Sequence, residues 1–99
     1  MARFDVYTAA TTPHLLLDVQ ADLLSDFATR IVVPLILAEE APKPARRLNP
    51  EFSIGGHYYI MVTQFIAAVQ VNELREKVTD LSAHRDRILI ALDMAFTGY

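Results

Sequence analysis

A chain of 99 residues can enclose one hydrophobic core but not two, so residues 1–99 are expected to form a single domain. Its 53% hydrophobic and 21% charged content excludes a disordered chain, and a net charge of −3 excludes the electrostatic footprint of a general nucleic-acid binder. The absence of cysteine excludes disulfide scaffolding and thiol chemistry, which suits a reducing cytosol.

In chain order, Arg3-Phe4-Asp5-Val6-Tyr7 alternates polar and apolar with the period of a half-buried strand. Arg3 resembles a basic leader region, but Asp5 follows and Leu15-Leu16-Leu17 is too short an apolar run for export, so a cytoplasmic location is expected. Thr8 to Pro13 is a small-residue loop, and Leu15 to Gln20 resumes strand character, with Leu15, Leu17 and Val19 on one face. Ala21 to Ala28 is more polar. Its Leu23-Leu24 pair reads as a core anchor or an exposed knob, the anchor being the default.

Arg30 to Leu37 is rich in β-branched residues and predicts a strand, with Pro34 marking an edge, a bulge or a bend because it cannot donate to a ladder. From Glu39 to Pro50 three prolines surround Lys43, Arg46 and Arg47, a stiff loop that keeps its basic groups solvated; three cations beside Glu39 and Glu40 make a weak phosphate patch. Phe52-Ser53-Ile54, Gly55-Gly56 and His57 to Val62 spell a hairpin, since the two glycines supply the positive φ angles of a two-residue turn. Phe65 to Val71 predicts another strand. Asn72 to Thr79 stays open between strand and helix, with Leu74 and Val78 four apart. The uncharged run from Phe52 to Asn72 is broken by Gly55-Gly56, His57, Gln64 and Gln70, so strands and a turn explain it better than a membrane span.

The last stretch predicts a helix with both ends written in. Ser82 is the expected N-cap, with Asp80 adding negative charge at the positive end of the dipole. Leu81, Ile88, Leu92, Ala95 and Phe96 follow helical spacing, and Gly98 occupies the left-handed closing position that folds Tyr99 back towards Met94. Ile90 and Met94 make a second apolar face, and Asp93 sits unfavourably at the negative end of the dipole. One reading is a core helix with two exposed apolar residues. The other is a helix that packs on its own domain with one face and on another protein with its tip. Five or six strands and one helix predict a mainly β fold: a small, partly open antiparallel barrel with a C-terminal helix.

Catalytic motifs are missing: there is no glycine-rich phosphate loop, zinc helix or nucleophile elbow. His14, His57 and His84 have no local metal-ligand spacing, so neither a metal nor a cofactor is expected. A ribonuclease-like site would need His57, Arg30 and Tyr59 to converge as acid–base groups and charge stabiliser, which nothing in their spacing indicates.

Five blocks carry a family resemblance: Phe4-Asp5-Val6-Tyr7-Thr8, Asp18-Val19-Gln20-Ala21-Asp22, Arg30-Ile31-Val32-Val33-Pro34-Leu35, Val78-Thr79-Asp80-Leu81-Ser82 and Phe96-Thr97-Gly98-Tyr99. Together and in order they resemble the CcdB toxins over essentially the whole chain. The resemblance implies the barrel shared by the CcdB, MazF and Kid toxins and a homodimer. It further implies a toxin that binds the A subunit of DNA gyrase, traps the enzyme on cleaved DNA and is released by a CcdA-like antitoxin. Such a protein catalyses nothing itself, and neither direct nucleic-acid binding nor a membrane is expected.

The family's gyrase contact is a phenylalanine, tryptophan, glycine and apolar-terminus run at the helix end. Phe96 and Gly98 match it, whereas Thr97 replaces the tryptophan and Tyr99 replaces the isoleucine. Threonine offers no ring to a guanidinium, a loss of roughly 2 kcal/mol or more for a central aromatic anchor. Tyr99 is placed to supply a ring, Asp93 to meet basic groups of the partner, and Leu23 and Leu24 match an apolar pair near gyrase. The resemblance places antitoxin contacts in the loops Thr8 to His14 and Glu39 to Arg47. Two rival readings remain: a MazF-like endoribonuclease, and a detoxified homologue that keeps antitoxin binding and autoregulation, which Thr97 favours.

Overall fold

A computed structural model describes residues 2–98. The strands are β1 (Asp5–Ala9), β2 (Leu15–Asp18), β3 (Thr29–Leu37), β4 (Glu51–Ile54), β5 (His57–Met61), β6 (Ala67–Gln70) and β7 (Leu74–Asp80), followed by the helix α1 (Arg85–Thr97). All the strand pairings are antiparallel, in the order β4-β5-β3-β2-β1-β7, with β6 added to β3. The described residues thus form seven strands, not five or six. The seventh is β7, in the stretch that the sequence leaves open between strand and helix. Leu74 and Val78 have helical spacing, but the ladder with β1, from Asp5 opposite Asp80 to Ala9 opposite Leu74, overrides it.

The sheet curls into a half-barrel because β3 serves two partners on one edge. Its first half, Thr29–Val32, pairs with β6, and its second half, Leu35–Leu37, pairs with β5. Pro34 sits at the handover. Its carbonyl accepts from the Val62 N–H at 3.0 Å, so its imide nitrogen faces the same edge, where the gap between β5 and β6 leaves no ladder bond to lose. The β4–β5 turn is the two-glycine turn expected, with φ of 60° at Gly55 and 82° at Gly56.

One face of the curl packs on α1. Phe4, Val6, Leu17, Val33, Leu35, Phe52 and Met61 meet Leu81, Ile88, Ala91 and Leu92 in a single buried cluster. Burying each large aliphatic or aromatic side chain contributes about 1.5–3 kcal/mol, so this seam fixes the helix to the sheet. Tyr7, Leu16, Val32 and Leu74 form a second cluster.

The helix start differs from the sequence expectation. α1 begins at Arg85, after a 3₁₀ turn over Ser82–His84, and His84 caps nothing with its side chain. Ser82 is not the N-cap of α1; its N–H, at 2.9 Å, and its hydroxyl both donate to Asp80 Oδ1 in the turn that precedes the helix. These bonds hold the Asp80 carboxyl below the usual range. Because β7 runs to Asp80, the chain needs the extra turn before it can enter the helix. The stripe also stops early: Ile88 and Leu92 are buried, but Ala95 and Phe96 are exposed.

Candidate interaction site at the helix tip

The last turn of α1 leaves the sheet. Gly98, at φ 81° and ψ 9°, takes the left-handed closing position, and its N–H bonds the Met94 carbonyl at 3.1 Å. The fold-back of Tyr99 lies outside the described residues. Thr97 donates its hydroxyl to the Asp93 carbonyl at 2.6 Å, and Asp93 itself is exposed. Phe96 is 70% exposed, which is unusual for a large apolar side chain on a rigid helix.

Beside it, Leu48, Thr63, Gln64, Ile66, Met94, Ala95 and Phe96 line a mainly apolar cleft of about 420 Å³. Its floor is firm. Thr63 is fully buried and donates to the Leu48 carbonyl, while Asn49 donates to the Met61 carbonyl at 3.0 Å and to Gln64 Oε1 at 2.8 Å. The short turn Thr63–Phe65 next to the helix also exposes Phe65. The tip therefore presents aromatic and aliphatic surface around a preformed hollow, an arrangement suited to protein contact.

Leu23 and Leu24 are not core anchors. They lie on a 3₁₀ turn, Asp22–Leu24, that follows β2, and Leu23 is 93% exposed. The reason lies in the polar ties of the turn. The Asp22 carboxylate accepts from the Arg3 N–H at 2.7 Å, and the buried Gln20 amide donates to the Leu24 carbonyl at 2.8 Å. The turn is tied down by its polar groups, and its apolar side chains point out. Phe27 and Ile31 are exposed in the same region, although no periodic pattern in the sequence singled them out.

The three groups of the ribonuclease-like constellation do not converge. Arg30 is 1% exposed and gives both Nε, at 3.0 Å, and Nη2 to Asp18 Oδ2. The carboxyl of Asp18 is nonetheless pushed up by its burial, which outweighs the Arg30 bonds. His57 and Tyr59 lie on β5, with Tyr59 opposite Leu37, seven residues along β3 from Arg30, or roughly 20 Å at strand spacing. Sequence gave no sign of the Arg30–Asp18 pair, because only the β2–β3 register brings the two together. Among the described residues no group of three or more His, Asp or Glu side chains is placed to hold a metal, and no helix is long and apolar enough to cross a membrane.

The loops expected to meet an antitoxin, Thr8 to His14 and Glu39 to Arg47, are both at the surface. Thr11 bonds Glu73 through its N–H at 3.0 Å and its hydroxyl at 2.5 Å, which lowers the Glu73 carboxyl and ties the first loop to β7's approach.

Comparison with known proteins agrees with this architecture. A family model described as "CcdB protein" matches residues 3–98. A solved structure described as "Endoribonuclease from Mycobacterial species" aligns with a TM-score of 0.77 at 17% identity, covering 96% of this chain and 89% of that one. Another, "Endoribonuclease in complex with its cognate antitoxin from Mycobacterial species", aligns with a TM-score of 0.76 at 17% identity, covering 96% and 93%. At that identity the likeness is one of fold.

Proposed function

This chain belongs to the CcdB toxin family, and on that premise we propose that it is the toxin of a toxin–antitoxin pair. In this reading it is a homodimer that binds the A subunit of DNA gyrase through the tip of α1, and a CcdA-like antitoxin neutralises it. The observation that carries the reading is Phe96, exposed at the end of a rigid helix beside an apolar cleft. An aromatic held there contributes little to its own fold and has a large area to bury against a partner. Gly98 ends the helix two residues later, so Phe96 and Thr97 stand at its tip. Asp93, one turn back and exposed, is available to a cation of the partner. Leu23 and Leu24 offer a further apolar knob, and Tyr99 completes the expected run.

Thr97 gives the detoxified reading its footing, because the family tryptophan that stacks on a gyrase arginine is replaced by a side chain without a ring. The ribonuclease reading loses the site first suggested for it, since Arg30 is consumed by Asp18. Capture of the gyrase A dimerisation domain by the intact chain, and by a chain truncated after Phe96, tests the assignment. Binding by the intact chain that falls at least tenfold on truncation is the expected result. Binding that truncation leaves unchanged removes the tip from the contact. No binding, with growth unaffected on overexpression and the antitoxin still held, selects the detoxified reading.

A further inference from the structure

A second cleft, of about 260 Å³, lies on the flank of α1 and is walled by Arg47, Pro50, Arg87 and Ile90. Both arginines are presented by braced structure. Arg47 lies at φ 68° in a turn clamped by Asn49, whose Oδ1 accepts from the Ala45 N–H at 2.9 Å and whose own N–H bonds the Ala45 carbonyl at 3.0 Å. Arg87 donates Nη2 to the Glu51 carbonyl at 2.6 Å and stacks its guanidinium 4.6 Å from the Phe52 ring centroid. Among the described residues the ion pairs are Arg30–Asp18 and Lys77–Asp5, so no carboxylate of residues 2–98 forms an ion pair with either cleft arginine. In a chain of net charge −3, two braced cations with no acidic partner among the described residues, beside a half-exposed isoleucine (48%), make a site for a carboxylate with an aliphatic neighbour.

The cleft also leads towards the tip. Leu48 follows Arg47, and Met94 is one helical turn from Ile90; Leu48 and Met94 both line the larger cleft that ends at Phe96. From Arg87 to Phe96 is nine residues, about 13 Å of helix, the span of about four extended residues. We propose that this trough seats an extended segment of the antitoxin, with an Asp or Glu carboxylate between Arg47 and Arg87 and apolar side chains along Ile90 and Met94. The inference rests on the toxin reading above and adds where and by what chemistry neutralisation is achieved. A segment that reaches Phe96 excludes a second protein from the tip.

The test titrates the full-length protein with the peptide acetyl-Glu-Leu-Ala-Leu-amide, its Gln counterpart, and inorganic phosphate at matched ionic strength, and follows the Ile90 methyl and arginine Nε–H NMR signals. Saturable shifts at Arg47, Arg87 and Ile90 are expected, with affinity about tenfold weaker for the Gln peptide and for Arg47→Gln. Arg87→Gln, checked for folding by its spectrum, is expected to match. Equal affinity for the two peptides, shifts away from the cleft, or the same shifts with phosphate alone overturns the proposal. An Ile90 signal that moves only on dilution also overturns it, because a second copy then covers the cleft. Gyrase A capture on the same samples separates the two claims. Peptide binding without capture overturns the gyrase contact alone, and capture without peptide binding overturns the trough alone.

Discussion

Arg30 is 1% exposed within the sheet, and Phe96 is 70% exposed at the end of the helix. Each occupies the environment ordinarily reserved for the other's chemistry. Arg30 is tolerated inside because Asp18 neutralises it, although its Nη1 keeps no partner among the described residues. Phe96 has no such compensation, and the proposed function accounts for its exposure by contact with a second molecule. A misplaced residue that carries its own partner belongs to the fold, and one that lacks a partner is a candidate for contact with another molecule. The MazF-like reading gave Arg30 a catalytic role, and its environment argues for a structural one.

The sharpest way to break this contrast is to remove one member of the buried pair. Asp18→Ala leaves the Arg30 charge buried without a counterion, and a loss of about 3–5 kcal/mol in unfolding free energy is expected from urea titration. A loss below about 1 kcal/mol would place the pair in water-like surroundings. Next comes the tip. Thr97→Trp, which restores the family's ring, is expected to tighten binding to gyrase A about tenfold with no change in the unfolding midpoint; unchanged binding would move the contact off this position.

Smaller effects sharpen the structural side. Tyr7 donates its hydroxyl to Asp5 Oδ2 at 3.2 Å, and burial, with the Asp5 charge next in effect, pushes the phenol up to about 12. Between the unfolded value near 10 and that folded value, the folded chain retains a proton that the unfolded chain releases. Stability from this group is complete below about pH 10 and is lost as pH rises through about 12, so Tyr7→Phe should flatten the alkaline limb of the unfolding midpoint against pH. A limb unchanged in the variant assigns the alkaline loss to other groups. Least of all, Leu23→Ser should change stability by less than about 0.5 kcal/mol, because the side chain is 93% exposed.

Local chemistry made some of the molecule legible in sequence. Gly55-Gly56 determined the β4–β5 turn, Gly98 the helix end, and the β-branched run to Leu37 the bent central strand. Features decided by distant chain were not. The N-cap rule favoured Ser82, but the pairing of Asp80 with Asp5 carries β7 up to Asp80, which takes the Ser82 N–H and hydroxyl, and α1 starts only at Arg85. Leu23 looked like an anchor because a leucine pair usually is one, while the turn that points it outward is held by Asp22 to Arg3 and by Gln20, which is itself bonded to Ile31 on β3. The tip of α1, the proposed contact, was legible only in part. Its residues were identified from the family resemblance, but the cleft beside them depends on Leu48 and Ile66, which sequence gave no reason to group with the helix.

The central claim, that Phe96 serves a partner and not the fold, is tested most directly by measuring Phe96→Ala in two assays on one preparation, gyrase A affinity by calorimetry and unfolding midpoint by urea. The account predicts affinity at least tenfold weaker, about 1.4 kcal/mol or more, with a midpoint indistinguishable from the parent chain. A midpoint that collapses while affinity per folded molecule holds would contradict it and return Phe96 to the core.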